Sequence, residues 1–508
     1  MDDRLPQALC RLLERRHGEP VSLVETTLSW VVLAPRVALK LKKPVRLAFA
    51  DYGNIAARLR CCLEELRVNR RFARGLYRGV LAVRGTPGDP RFDGPGEPID
   101  HVVCMRRFPD GAVLASRDMG ELDAGALARF ARDLGEIHQA SPRVDPAHDW
   151  GSAAQVTKAV FAVASQLQAM RIVLPEDPLQ GWLEAQARAH RDGWEARRLG
   201  GRVRDCHGDL HLGNLVMLEG RVVAFDAIDF DPALRWIDVV SDVAFLAMDL
   251  EARGRADLAF GFLDDYLQAS GDYAGVAVLR VYAAYRALVR CLATALAPPG
   301  AGPDYLAAAR RWAGECCPRL VIMHGLSGSG KSTVARRLLQ AAGAIRIRSD
   351  VERKRLHAAG VAAGSADSLL YSSAASLRTY ARLARAARVA LAAGFPVIVD
   401  ATFLEAGHRR HFETIARRCG VPFEILHCEV EDAVSRQRLE ARERAGTDPS
   451  DATIATWQWQ RTRNDPLTAE EAGCMTGITG DAEQVEAVAG RWTTGASLRG
   501  SAPAGRPR

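Results

Sequence analysis

No stretch of the 508 residues approaches the ~18 consecutive uncharged apolar residues that a membrane-crossing helix needs, so no span is expected. The opening residues, MDDRLPQALCRLLERR, lack the apolar core of a secretion signal, which leads to a cytoplasmic expectation. There are 11 cysteines, an odd number that includes the neighbours Cys61-Cys62 and Cys316-Cys317, and no C-x-x-C spacing. That pattern argues against a disulfide framework or a thiolate metal site and fits a reducing compartment. Aromatic residues make up only 6%. Arg378, Arg382, Arg385 and Arg388 recur at i, i+4, i+7 and i+10, but no aromatic platform accompanies them. The stripe therefore reads as a solvated helix face, and a nucleic-acid partner is disfavoured. No internal repeat is found. Net charge is only +7, and 48% apolar with 25% charged residues is the composition of a soluble globular protein. The length calls for two or three domains.

The most informative stretch is Arg319–Thr333, RLVIMHGLSGSGKST, which contains a complete G-x-x-x-x-G-K-S from Gly325 to Ser332. A short apolar run, Leu320 to Met323, precedes it, and a helical pattern follows. That strand–loop–helix setting makes it a phosphate-binding loop. Gly325, Leu326, Ser327, Gly328, Ser329 and Gly330 supply a backbone whose N–H groups can turn onto a phosphate, and the helix start at Lys331, Ser332 and Thr333 adds its positive end. Lys331 can reach the β- and γ-phosphates and the Ser332 hydroxyl can hold Mg²⁺. No Asn-Lys dipeptide occurs, hence no N-K-x-D guanine signature, and ATP is expected rather than GTP.

Along the chain, residues 4–16 read as an amphipathic helix and Val21 to Leu41 as strands. In the latter, Val37, Leu39 and Leu41 alternate with Ala38, Lys40 and Lys42, a half-buried strand with one basic face. Helices are expected at 55–73, 123–140 and 153–171, a strand at 101–105, a hairpin from Leu215 to Phe225, and a long helical region at 236–295. Beyond the P-loop, strands and helices alternate: IRIRS into a helix, helix 376–392, strand 396–400, helix 407–418, strand 422–428 and helix 431–444. Such alternation predicts a parallel sheet covered on both faces. The domains are placed at 1–317 and 318–490, with a disordered tail at 491–508.

In the first half, His207-Gly-Asp209-x-x-x-x-Asn214 is followed by a strand ending on Asp226. A carboxylate to orient a hydroxyl and take its proton, plus an amide and a second carboxylate for Mg²⁺, is the minimal set for phosphoryl transfer. On these residues the sequence resembles the aminoglycoside phosphotransferases, which share a two-lobed protein-kinase-like fold. The resemblance covers roughly 20–295 and implies Asp209 as base and Asn214 and Asp226 as metal ligands. It also implies a strand lysine paired with a helix glutamate, placed at Lys40 and Glu65, with Lys42 and Glu64 as alternatives, and a hinge for adenine at Met105–Phe108. The chain departs from the family at Asp226-Ala-Ile-Asp229-Phe-Asp231, where extra acids replace a glycine and Asp229 becomes an alternative ligand, and no Gly-rich loop is evident at 29–36. His207 and His211 read as structural. Asp238, Asp242, Asp249 and Glu251 read as solvated helix faces or caps in preference to a wall for a cationic substrate.

In the second half, Ser349-Asp350-Val-Glu-Arg353 and the strand PVIVD ending at Asp400 resemble the small P-loop kinases of the polynucleotide-kinase, zeta-toxin and gluconate-kinase-like group over about 319–465. The resemblance implies Asp350 as the group that takes the acceptor proton and Arg353 as the group that holds the acceptor. Asp400, with Thr402 beside it, is the expected Mg²⁺-supporting carboxylate. Arg436, Arg438 and Arg442 stand where lid arginines contact phosphate, the last two sharing a helix face. The whole resembles a bacterial fusion of a phosphotransferase-like domain with a P-loop domain. The expected function is an ATP- and Mg²⁺-dependent two-site kinase acting on a small-molecule hydroxyl. The alternatives are a regulatory ATPase with one silent half and a polynucleotide 5′-hydroxyl kinase.

Overall fold

The computed structural model describes residues 4–46, 51–297, 300, 302–360, 373–445 and 452–493. Most of the expected disordered tail, 494–508, lies outside them, and helix Ala482–Thr493 runs to their end. The sequence reading places one boundary at 317/318. By compactness the chain divides differently: one unit runs to Asp249 and resumes over Tyr285–Gly300, and the other takes Leu250–Ala284 and the chain from Ala301 onward.

The first unit opens with helix Arg4–His17 and a six-stranded antiparallel sheet. Its strands are β1 (Ser22–Glu25), β2 (Ser29–Leu33), β3 (Val37–Lys42), β4 (Tyr77–Thr86), β5 (Asp89–Arg91) and β6 (Asp100–Arg106), in the order β1-β2-β3-β6-β4-β5. The alternating residues of β2, β3 and β6 account for this. Trp30, Val32, Leu39, Leu41 and Val102 pack with Leu9 and Leu13 of the first helix. The opposite face of the sheet meets helix Ile55–Phe72 through Cys62, Tyr77, Val103 and Met105. Asn54 caps that helix by accepting from the Ala57 N–H. The expected basic face of β3 is corrected here: Lys42 is 1% exposed, because acidic side chains of the same unit neutralise it indoors.

The rest of the unit is mainly helical: Ala124–Ala140, Ala153–Ala169 and Pro178–Leu199 precede the hairpin of β8 (Leu215–Leu218) and β9 (Arg221–Ala224). Strand β7 (Val203–Asp205) pairs antiparallel with β10 (Trp236–Asp238). Helix Pro178–Leu199 and strand β4 have no counterpart in the sequence reading. The helix buries only Leu179, Leu183, Trp194 and Arg197 among the residues of its stripe, a thin apolar signal, although Asp177 capping Leu179 with proline at the first turn marks its start.

The second unit carries the parallel sheet expected from the alternating pattern. Strands β11 (Leu320–His324), β12 (Ile345–Arg348), β13 (Val397–Asp400), β14 (Phe423–His427) and β15 (Met475–Gly477) lie in the order β12-β13-β11-β14-β15. Every residue of β11, β12 and β13 is buried; β11 and β13 read as nearly unbroken apolar runs for that reason, while β12 alternates isoleucine with buried arginine. Strand β11 is central, with its neighbours reached in opposite directions, so the loop after it leaves the sheet at a switch point, where ligands of such sheets bind. Helices Ala256–Ser270, Lys331–Ala342, Ser349–Gly360, Ser373–Ala392 and Ala406–Cys419 belong to this unit.

Beneath the P-loop, His324 Nδ1 and His427 Nδ1 are 2.7 Å apart, one donating to the other. Burial, and then His427, Arg409 and Lys331, push His324 down to about 4 from an ordinary 6.5, with Glu471 opposing. The unfolded chain binds this proton more readily, so stability is full above pH 6.5 and is lost as pH falls toward 4. Urea midpoints at pH 7.5 and 5 should fall further apart in the wild type than in His324→Asn. Equal differences would show that His324 does not titrate as described.

Candidate active site

The P-loop leaves β11 and returns into helix Lys331–Ala342. Two glycines are required by space as well as conformation. Gly325 has φ +133° and a Cβ there would lie 2.3 Å from the Cys428 carbonyl oxygen; at Gly328, φ +85°, it would lie 2.8 Å from that of Ser435. Lys331 Nζ donates to the Leu326 carbonyl at 2.6 Å. Its side chain lines a cavity of about 330 Å³ together with Ser332, Asp350, Arg353 and Asp400. Burial lowers the Lys331 pKa, with Asp400, Cys428 and Asp350 pulling the other way. Ser332 Oγ donates to Asp400 Oδ1 at 3.2 Å. The other oxygen, Oδ2, is buried and accepts no hydrogen bond among the described residues. A hydroxyl and a carboxylate whose second oxygen accepts no hydrogen bond are a hard donor pair that fits Mg²⁺.

Asp350 and Arg353, one helical turn apart, are 3.6 Å from each other, so the two groups expected to face an acceptor do share the cavity. Thr333, Thr402, Arg438 and Arg442 line it too. Arg438 donates to the Gly328 carbonyl and Arg442 to that of Ala452. Arg436 is corrected: its guanidinium stacks 5.0 Å from the Trp457 ring centre and is not among the residues lining the cavity. Gln460 has no place in the sequence reading, yet its Oε1 accepts from the Ser327 N–H at 2.9 Å and so fixes the P-loop backbone. No motif marks it; only the fold brings it there. In the arginine stripe, Arg382 is tied to Glu352, while Arg378, Arg385 and Arg388 are exposed.

In the first unit, the β8–β9 hairpin pairs Leu215 with Ala224, which sets Asn214 beside Phe225, whose N–H donates to the Asn214 carbonyl at 2.9 Å. Asp226 follows at once, at φ +62°. Asn214 Nδ2 donates to Asp209 Oδ2 at 2.8 Å, which leaves its amide oxygen for a cation. Burial opposes charge on Asp209, but His211, 3.4 Å away, and His207 hold its carboxyl below the usual range. His207 donates from Nε2 to the Phe225 carbonyl, while its Nδ1 accepts from the Asp209 N–H, the structural role expected of it.

Of the alternatives left open on the sequence, contacts separate the two glutamates but bring both lysines to Glu65. Lys40 Nζ meets Glu65 Oε1 at 3.0 Å and also Asp226. Lys42 meets Glu65 Oε2 at 2.7 Å and Asp229 at 2.6 Å. Glu64 faces Arg67 and Arg235 instead. Asp229 is buried, engaged by Lys42 and 3.3 Å from the Tyr52 hydroxyl, whereas Asp226, engaged by Lys40 through Oδ1, keeps 44% of its side chain exposed. Burial works against the charge on Glu65, yet Lys40 and Lys42 hold its pKa down to about 2. Phe108, in the expected hinge segment, packs against Phe225 with the rings tilted by 60°.

The three aspartates among the acids read as solvated faces are buried, while Glu251 pairs with the exposed Arg311. Asp242 accepts from the His207 and Gly208 N–H groups at 2.7 and 2.9 Å. Asp249 accepts from the Leu212 N–H at 2.9 Å, and Asp238 pairs with buried Arg197. Two buried aspartates, Asp242 and Asp249, thus fix the loop that carries Asp209. A charge run on one sequence gives no sign of this, because the partners are backbone amides far away in the chain.

Two family models match the chain: the phosphotransferase enzyme family over residues 62–288 and an AAA domain over 320–467. Uncharacterized proteins of Mycobacterium bovis and Mycobacterium tuberculosis are each 32% identical to it over 430 residues, covering 80% of this chain and 85% of theirs. Among solved structures, the GDP and kanamycin complex of APH(2″)-IIia is 12% identical, spans 60% of this chain and 96% of its own, and gives a TM-score of 0.37. The Mycobacterium tuberculosis APS kinase bound to AMPPNP and APS is 23% identical over 34% of this chain and 96% of its own, with a TM-score of 0.26.

Fully buried Glu65 balances buried Lys42 and half-buried Lys40, so Glu65→Ala should cost about 3–5 kcal/mol of stability in urea unfolding, the loss typical of breaking a buried pair. Glu64→Ala should cost less, because Asp205 still pairs with Arg235. Equal losses would contradict the assignment.

Proposed function

Because the chain belongs to the family of those mycobacterial proteins, with a phosphotransferase-family segment followed by a P-loop domain, we propose that it is an ATP- and Mg²⁺-dependent kinase with two nucleotide sites, at least one of which phosphorylates a small-molecule hydroxyl. The observation that carries this reading is the single cavity in which Lys331, the Ser332–Asp400 pair and the Asp350–Arg353 pair meet. In the P-loop half, Asp350 accepts the proton of the acceptor hydroxyl as its oxygen attacks the γ-phosphorus, and ADP leaves. Arg353 holds the acceptor. Lys331, Arg438 and Arg442 place positive charge against the moving phosphoryl group. Ser332 and Asp400 would hold Mg²⁺, which neutralises phosphate charge when bound.

In the first half, Asp209 plays the part of the base. Asn214 and Asp226 are the metal ligands, and Lys40, held by Glu65, meets the phosphates. The ionised Asp209 and the Lys40–Glu65 contact support an active rather than a silent site. The tie between Arg382 and Glu352 interrupts the arginine stripe and supports a small acceptor over a polynucleotide end. All eleven cysteines are free thiols and no helix among the described residues is long and apolar enough to cross a membrane, which supports a cytoplasmic setting.

The test is phosphotransfer from γ-labelled ATP to a library of hydroxyl compounds. Lys331→Ala and Asp209→Asn should each abolish a different part of the turnover, the latter by about 10²-fold or more if Asp209 is a general base. Unchanged turnover in both would overturn the assignment. Hydrolysis without any phosphorylated product would favour a regulatory ATPase, and label on an oligonucleotide 5′ end would favour a polynucleotide kinase.

A further inference from the structure

Asp400 has a crowded neighbourhood. Two arginines of β12 flank its Oδ2: Arg346 Nη1 at 3.6 Å and Arg348 Nε at 3.5 Å. Both are buried, and the strand pairing sets Arg348 opposite Asp400 itself. Cations at that distance compete with a divalent ion for the same carboxylate. A metal site built this way needs something to hold the arginines back.

That something is helix Ala256–Ser270, which lies within the residues matched by the phosphotransferase family model but belongs to the same compact unit as the P-loop. Asp264 grips Arg346 with both oxygens, Oδ2 to Nη2 at 2.6 Å and Oδ1 to Nε at 3.2 Å, and is 3% exposed. One turn later, Gln268 Oε1 accepts from Arg348 Nη1 at 3.4 Å, while Gln268 Nε2 donates to Asp264 Oδ2 at 2.7 Å. Positions 264 and 268 share a helix face, and 346 and 348 share a strand face, so the two periodicities meet in register. Arg346 also donates to the Ser332 carbonyl at 3.0 Å, which joins this network to the first turn of the P-loop helix.

From the contrast between the close Asp264 contacts and the longer reach to Asp400, we infer that Asp264 is a positioning residue for the metal site: it draws the Arg346 charge off Asp400 and so sets the affinity of the P-loop half for its divalent ion. The inference rests on the reading that Ser332 and Asp400 hold that ion. Removing the Asp264 charge leaves Arg346 a buried cation with Asp400 as the carboxylate within reach, and the arginine then competes with Mg²⁺. Removing both charges takes the competitor away.

The test uses the full chain carrying Asp226→Asn, which removes the other half's metal ligand, and reads the Mg²⁺ concentration at half-maximal binding of a fluorescent ATP analogue. Asp264→Asn should raise that midpoint by about tenfold, a modest part of the interaction between unit charges ~4 Å apart. The double variant Asp264→Leu/Arg346→Met, which exchanges the buried pair for apolar side chains, should bring it back to the wild-type value or below. Asp257→Asn, on the same helix and paired with Arg255, should leave it unchanged. A folded Asp264→Asn protein with an unshifted midpoint overturns the inference. If the single variant does not fold, the double variant decides, and a raised midpoint there overturns it equally. Asp400→Asn separates the two levels: if it leaves Mg²⁺ dependence intact, the metal-site reading itself has failed.

Discussion

Charge balance away from water is the constraint on which the structure depends. Lys42 and Arg346 are each almost fully buried, and each is matched at 2.6 to 2.7 Å by carboxylates from a different element. Breaking such a match leaves an isolated interior charge, far costlier than losing a surface pair. The matched groups therefore hold their elements in one arrangement. In the first unit, β3 is locked to helix Ile55–Phe72 and to the segment after β9. In the second, β12 is locked to helix Ala256–Ser270.

Both candidate sites sit against these locks. The Lys40–Glu65 contact adjoins Asp226, and the Asp264–Arg346 contact adjoins Asp400. Carboxylates that would hold a cation are thus surrounded by fixed positive groups whose own charge is satisfied elsewhere. Such an arrangement supplies a polar environment that needs little reorganisation when phosphate arrives. The loops are held by the same means. Buried Asp242 and Asp249 accept from backbone amides around Asp209, and Gln460 accepts from an amide of the P-loop. Flexible glycine-containing loops become defined surfaces because side chains from later in the chain saturate selected N–H groups.

The sequence alone determined the local pieces. G-x-x-x-x-G-K-S fixes a strand, a turn with left-handed glycines and a helix start, since no other residues fit Gly325 and Gly328. The spacing from Asp209 to Asn214, with a two-residue hairpin turn before Asp226, fixes that second cluster, because hairpin register follows from turn length. The buried parallel strands were readable from their apolar runs. Tertiary structure alone decided which charges are partners. Glu64 and Glu65 are equivalent choices in one dimension, and only the packing of β3 on its helix gives both Lys40 and Lys42 to Glu65 and sends Lys40 on to Asp226 and Lys42 to Asp229. Asp242, Asp264 and Gln460 look like ordinary polar residues of amphipathic helices until the fold brings a distant amide or guanidinium to them. Short-range chemistry is written in neighbouring residues; the compensation of buried charge is a long-range requirement, and it becomes visible only once the chain is folded.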